Sequence, residues 1–139
     1  MIYIIIFALL FDPPLPIPHG ATEYLVSRVR VSHYSPALGG INCGAFVNGV
    51  CTSRMASGHR WQAHIAAANT AACPRSLPFD AFVRIGGESF RCLDRGGRIV
   101  VQRDGVIRLD VLAERVTRFE GRTWKAWVSV GERRNEERR

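Results

Sequence analysis

The chain has no Cys-x-x-Cys pair, and its four histidines do not fall at zinc-finger spacing. A structural zinc site is therefore unsupported, and the sequence calls for no metal and no cofactor. It has no phosphate-cradling loop, because Gly39-Gly40 is not followed by Gly-Lys-Ser/Thr. Ser57 has no His and Asp at a recognisable triad spacing, which leaves a serine hydrolase without support. The arginine-rich C-terminus comes with no recognised nucleic-acid motif, so nucleic acid is not an expected partner. There is no internal repeat and no low-complexity segment. The apolar run Met1–Phe11 falls short of the roughly 20 residues that a bilayer span needs.

What is present fits one globular domain with its own core. The 139 residues are 47% hydrophobic and 22% charged. The formal net charge is +7. A basic surface favours polyanions, whether nucleic acid, anionic lipid or anionic cell-wall polymer, and composition does not choose among them. Cys43, Cys51, Cys73 and Cys92 form an even set that allows three pairings. Cys43–Cys51 would staple a Gly- and Asn-containing loop. Cys73–Cys92 would close a loop around a Pro-rich turn and a hairpin. That pairing is the expectation, against four reduced thiols, and it implies an extracytoplasmic location.

Residues 1–21 read as a leader. Their apolar run has the length of a signal-peptide core, roughly 7–15 residues, although no basic segment precedes it. Pro13, Pro14, Pro16 and Pro18 rule out a continuing helix. The other reading is an N-terminal arm that stays on the protein and joins copies into a homo-oligomer. Residues 22–131 form the expected domain, and 132–139 a charged, solvated tail.

Within that domain, Thr22–Tyr34 alternates, with Val29, Val31 and His33 on one face and Arg28, Arg30 and Ser32 on the other, as in a half-buried strand. Ser35–Arg60, rich in glycine, reads as a long rim loop. Trp61–Ala71 is ambiguous between strand and short helix. Phe82–Ile85, Gly86-Gly87 and Ser89–Leu93 predict a hairpin. Ile99–Arg103 leads into a second turn at Asp104-Gly105. Val106–Leu112 is strand-like, while Leu112, Val116 and Phe119 lie at helical spacing and predict a short helix within 109–119. Trp124–Val130 is the last strand. Six or seven strands with close turns favour a small barrel.

Asp94 organises this pattern. It stands where a strand ends and Gly96-Gly97 let the backbone bend. Asp110 lies in a comparable strand. Cleft carboxylates at such places are candidates for acid–base work. The structural alternative for Asp94 is a turn cap on the Gly96 and Gly97 amides, or an ion pair with Arg95, Arg98 or Arg108. Asp80 is either a further acid or a turn residue chosen for its tolerance of positive φ. His33 reads as a hydrogen-bonded core histidine rather than a base. Tyr34 and Trp61 are candidates to stack on sugar rings, or are core.

From His33 to about Val130 the order of motifs resembles the double-psi β-barrel families, nearest the 3D (Asp-Asp-Asp) domain and the rare-lipoprotein-A domain. The resemblance rests on Ser32-His33-Tyr34-Ser35, Ala56-Ser57-Gly58, Ala71-Ala72-Cys73-Pro74, Leu77-Pro78-Phe79, Asp94-Arg95-Gly96-Gly97-Arg98-Ile99 and Ile107-Arg108-Leu109-Asp110-Val111. It implies an all-β fold, a six-stranded double-psi β-barrel with one short helix and a long rim loop. It also implies lytic-transglycosylase-like cleavage of peptidoglycan outside the cytoplasm. Asp94 and Asp110 match catalytic aspartates of that pattern, with Tyr34, Ser57, Trp61, Asp80, Arg95, Gly96 and Gly97 as expected substrate contacts. The family's first aspartate falls on Cys73, its Leu-Pro-Phe-Gly-Thr reads Leu77-Pro78-Phe79-Asp80-Ala81, and the gap from Asp94 to Asp110 is longer. The competing expectation is a non-catalytic barrel that binds peptidoglycan or another anionic glycan.

Overall fold

The computed structural model describes residues 23–130. The expected leader 1–21 and tail 132–139 lie outside the described residues. Eight strands follow one another: β1 (Glu23–Tyr34), β2 (Phe46–Val47), β3 (Val50–Cys51), β4 (Thr70–Ala72), β5 (Phe82–Ile85), β6 (Glu88–Asp94), β7 (Ile107–Leu112) and β8 (Thr123–Val130). Six of them close into a barrel in the order β1-β7-β4-β6-β5-β8, and β2 and β3 form a separate small hairpin. The fold is all-β, as the alternating patterns predict. β1–β7 and β4–β6 pair in parallel, and the other barrel neighbours pair antiparallel.

Period-two alternation builds the barrel interior. Val29 and Val31 from β1 are buried with Val83 and Ile85 from β5, Leu109 and Val111 from β7, and Ala126 and Val128 from β8. Phe119 fills the space beneath the β5–β6 turn, its ring centroid 5.5 Å from that of Phe90 and 5.2 Å from that of Trp124. A Cβ at Gly86 would stand 3.2 Å from this ring, and Gly86 and Gly87 both have positive φ (52° and 86°). The Gly-Gly pair thus meets both demands of the turn, handedness and close approach.

Opposite-facing residues form a second cluster under the rim loop. Tyr34, Ala72, Leu93 and Leu112 come from the ends of four barrel strands. Cys51, Met55, Trp61, Ile65 and Ile99 come from the covering loops. This cluster fastens the rim to the mouth of the barrel. Both disulfides form as expected, Cys43–Cys51 stapling the rim hairpin and Cys73–Cys92 joining the end of β4 to β6.

One local expectation needs correction, and one open reading is resolved. The predicted helix within 109–119 is absent: Leu109–Leu112 belongs to β7 and turns follow. The 112/116/119 spacing is a coincidence of three different environments. Leu112 packs under the rim, Phe119 lies inside the barrel, and Val116 is 69% exposed. Trp61–Ala71 resolves into single 3-10 turns at Trp61–Ala63 and Ile65–Ala67 before β4. Ile99–Arg103 makes one isolated bridge, Val101 to Ile107, on its way into the next turn. The Asp104-Gly105 turn itself forms, with the Asp104 carboxylate accepting from the Val106 amide at 3.1 Å.

Candidate active site

β4 lies between β7 and β6, and the register gives Ala72 two partners, Asp110 on one side and Asp94 on the other. The two acids are therefore separated by the width of one strand, about 10 Å between backbones at about 4.8 Å per strand spacing. Ser32 of β1 sits opposite Asp110. Ser32, Asp110, Ala72 and Asp94 thus form one row across the mouth.

Asp94 is half-buried at the last position of β6. Its Oδ2 accepts from the Tyr34 hydroxyl at 2.6 Å. Its Oδ1 accepts from the backbone amides of Ala56 and Arg95, each at 2.8 Å. The alternative reading, a cap on the Gly96 and Gly97 amides, is not what forms: the amides bonded are those of Ala56 and Arg95. The donor from the rim is supplied by a tight turn, Met55–Gly58, closed by the Gly58 amide on the Met55 carbonyl at 2.8 Å. The Ser57 amide donates to the Leu93 carbonyl at 3.1 Å and anchors this turn beside Asp94. Two donors saturate Oδ1, whereas Oδ2 keeps one lone pair for a further partner.

Tyr34 ends β1, and its ring belongs to the cluster under the rim. Burial, then the negative charges of Asp94 and Asp110, push its hydroxyl far above the usual tyrosine range, so it stays a proton-bearing donor. Asp110 accepts from Ser32 Oγ at 2.8 Å. Burial raises its pKa, with the Ser32 bond and the nearby His33 and Arg108 opposing that shift. His33 is half-buried and bonded through Nδ1 to Glu120 Oε1 at 2.7 Å, and the same Glu120 oxygen accepts from the Thr117 amide at 3.0 Å.

The other expected contacts fall in different places. Arg95 makes no side-chain bond to Asp94. Its guanidinium donates to the carbonyls of Cys73 (3.2 Å), Pro74 (3.3 Å) and Leu77 (2.6 Å) and stacks 4.2 Å from the Phe79 ring centroid. It holds the Cys73–Phe79 turn together. Asp80 adopts φ +68° and pairs with Arg91 (Oδ1 to Nη2 2.5 Å) on the outside of the barrel. Trp61 is 8% exposed and its indole N–H is buried with no partner among the described residues, so it is a core residue. Tyr34 likewise presents its hydroxyl to Asp94 rather than its ring to solvent. Ser57 bonds His59 Nδ1 at 2.9 Å, and the His59 ring lies edge-on to His64 at 5.7 Å. Gly96 is required by packing, since a Cβ there would stand 2.7 Å from Ile99 Cγ1, whereas Gly97 meets nothing within 4 Å.

One residue past Asp94 an open groove of about 640 Å³ runs between the Pro74–Ser76 turn and residues 95–101, lined by Arg75, Gly96, Gly97, Val100 and Val101 among others. Gly96 and Gly97 thus border space that a ligand can occupy. Among the described residues no three His, Cys, Asp or Glu side chains gather as metal ligands would.

Sequence reasoning missed the Ala56 amide, Ser32 and Glu120. Alternation puts Ser32 and Tyr34 on one face of β1, a signal that pointed to both as partners of the acids. The Ala56 amide left no comparable trace. No protein-family model, no curated protein and no solved structure matches this chain.

Proposed function

We propose that this chain is a cell-wall-active barrel that cleaves the glycan strands of peptidoglycan outside the cytoplasm, with Asp94 as acid–base carboxylate and Asp110 assisting. The observation that carries the reading is that Tyr34 alone among the described residues donates to Asp94 Oδ2, which leaves that oxygen a second lone pair. It belongs to a half-exposed acid that three donors hold in place, with a second acid one strand away. The closed mixed barrel supports the double-psi resemblance, and two disulfides agree with an extracytoplasmic setting.

In a lytic transglycosylase one carboxyl group suffices. Asp94, protonated on Oδ2, gives its proton to the glycosidic oxygen as the bond to the anomeric carbon breaks. A hydroxyl of the same sugar then attacks that carbon, and Asp94 takes the hydroxyl proton back, leaving an anhydro sugar end. Tyr34, as a neutral donor, fixes the carboxyl orientation throughout. Asp110, whose pKa burial raises above the ordinary aspartate range, is the second acid of the row.

A second reading has its own observation. The position of the family's first acid is Cys73, buried in a disulfide. On that reading the barrel binds anionic glycan without cutting it. Incubation of the purified protein with peptidoglycan, read by mass spectrometry, separates the two. Anhydro-sugar products that vanish in Asp94→Asn, while the variant keeps its disulfides and fold, support cleavage. Products undiminished in that variant sink the catalytic assignment. Retention on peptidoglycan with no product from either protein favours the binding module.

A further inference from the structure

The rim loop carries a chemistry that the acid site does not use. Leu38 (77% exposed), Ile41 (101%), Phe46 (45%), Val47 (54%) and Val50 (57%) all project from it. They form one unit. The Phe46 ring packs on Gly39, where a Cβ would stand 3.2 Å from it, and the Cys43–Cys51 disulfide ties the two halves of the loop. Large aliphatic side chains held in water on a stapled tip mark an interaction surface.

Charge identifies the partner. Between Glu23 and Asp80 the chain has no Asp or Glu, but it has Arg28, Arg30, Arg54, Arg60 and Arg75. Arg54 and Arg60, both exposed, follow the apolar tip along the rim, Arg54 donating to the Gly58 carbonyl at 2.9 Å. Apart from Asp94, whose carboxylate is taken up by the Ala56 amide, the tip is followed by cations, the pattern of an element that inserts into the headgroup zone of an anionic bilayer. A glycan partner would call for ring stacking and hydrogen-bonding groups, whereas four of these five side chains are aliphatic. A second copy docking through the same face would bring like charges together.

We infer that the stapled rim, residues 38–51 with Arg54 and Arg60, is a docking surface for anionic lipid bilayers. The inference does not depend on the proposed glycan cleavage. Docking would set the mouth of the barrel against the membrane face, because the same rim supplies the Ala56 amide to Asp94.

The test uses the full chain with vesicles of phosphatidylglycerol and phosphatidylcholine, or of phosphatidylcholine alone, read by co-sedimentation and by hydrogen-exchange mass spectrometry. The expected result is sedimentation with the anionic vesicles, weakened by salt, with exchange protection over 38–51. Ile41→Ser/Phe46→Ser should abolish that protection. Arg54→Gln and Arg60→Gln should each weaken binding about fivefold. Four outcomes overturn the inference: no sedimentation, equal binding to neutral vesicles, protection confined to residues 1–22, or binding undiminished by the rim variants. Protection of 38–51 that grows with protein concentration in the absence of vesicles assigns the surface to a second copy and equally overturns it.

Discussion

Tyr34 and Asp94, 60 residues apart in the chain, meet in a 2.6 Å hydrogen bond from phenol to carboxylate. The bond joins the end of β1 to the end of β6, two strands that are not neighbours in the barrel. Tyr34→Phe keeps the buried ring and removes the donor. Loss of a bond to a charged acceptor should cost about 1.5–3 kcal/mol, read from denaturant midpoints. If the proposed cleavage is correct, product formation should fall as well, since Asp94 loses the group that orients its reacting oxygen. A variant as stable and as active as the wild type would show the bond to be incidental.

Asp110 gives a pH signature. Its pKa is raised above the ordinary aspartate range, chiefly by burial. The folded chain then holds a proton that the unfolded chain has released, and stability falls as pH rises through that interval. Asp110→Asn keeps an acceptor for Ser32 and has nothing to titrate. Thermal melts across pH should show the variant gaining on the wild type as pH rises above about 4, the ordinary aspartate value. A difference that stays constant with pH would mean that Asp110 titrates in the fold as it does in water.

Two adjacent glycines should behave differently. Gly96→Ala places a Cβ 2.7 Å from Ile99, a residue only 8% exposed with little room to yield. Overpacking of this kind should cost about 1–3 kcal/mol. Gly97→Ala meets open space and should stay within about 0.5 kcal/mol of wild type. Equal costs at both positions would place the constraint in the backbone rather than in the Ile99 contact.

The two disulfides close loops of unequal length, with separations of 19 for Cys73–Cys92 and 8 for Cys43–Cys51. Chain entropy alone gives about 3.3 against about 2.6 kcal/mol for their removal. The Cys73–Cys92 pair is also fully buried. Paired Cys→Ala variants should rank in that order by thermal midpoint. A reversal would mean that the rim staple supports more of the fold than its own loop.

How much of this was legible in the sequence follows from range. β1, the Gly86-Gly87 hairpin, Asp80 at positive φ and both disulfide pairings were readable, because each rests on local alternation, turn chemistry or cysteine spacing. The false helix at 109–119 arose where period 2 and period 3.6 compete: the barrel ladder kept Leu109 and Val111 inward, and Val116 was left in solvent. Trp61 was offered as a sugar platform, but aromatic character cannot reveal that a loop folds over it. The three donors on Asp94 come from residues 34, 56 and 95. Two of the three are backbone amides, which carry no residue signature at all.

The first strand of the barrel lies between the last two. β1 pairs with β7 along one half and β8 along the other. On the ribosome, residues 23–34 emerge early with both edges bare and wait until 107–130 has been made. The cylinder therefore has no smaller intermediate version of itself that satisfies this strand, and its assembly is a late event. A translation product stopped before β7 would expose a twelve-residue template for pairing with other chains.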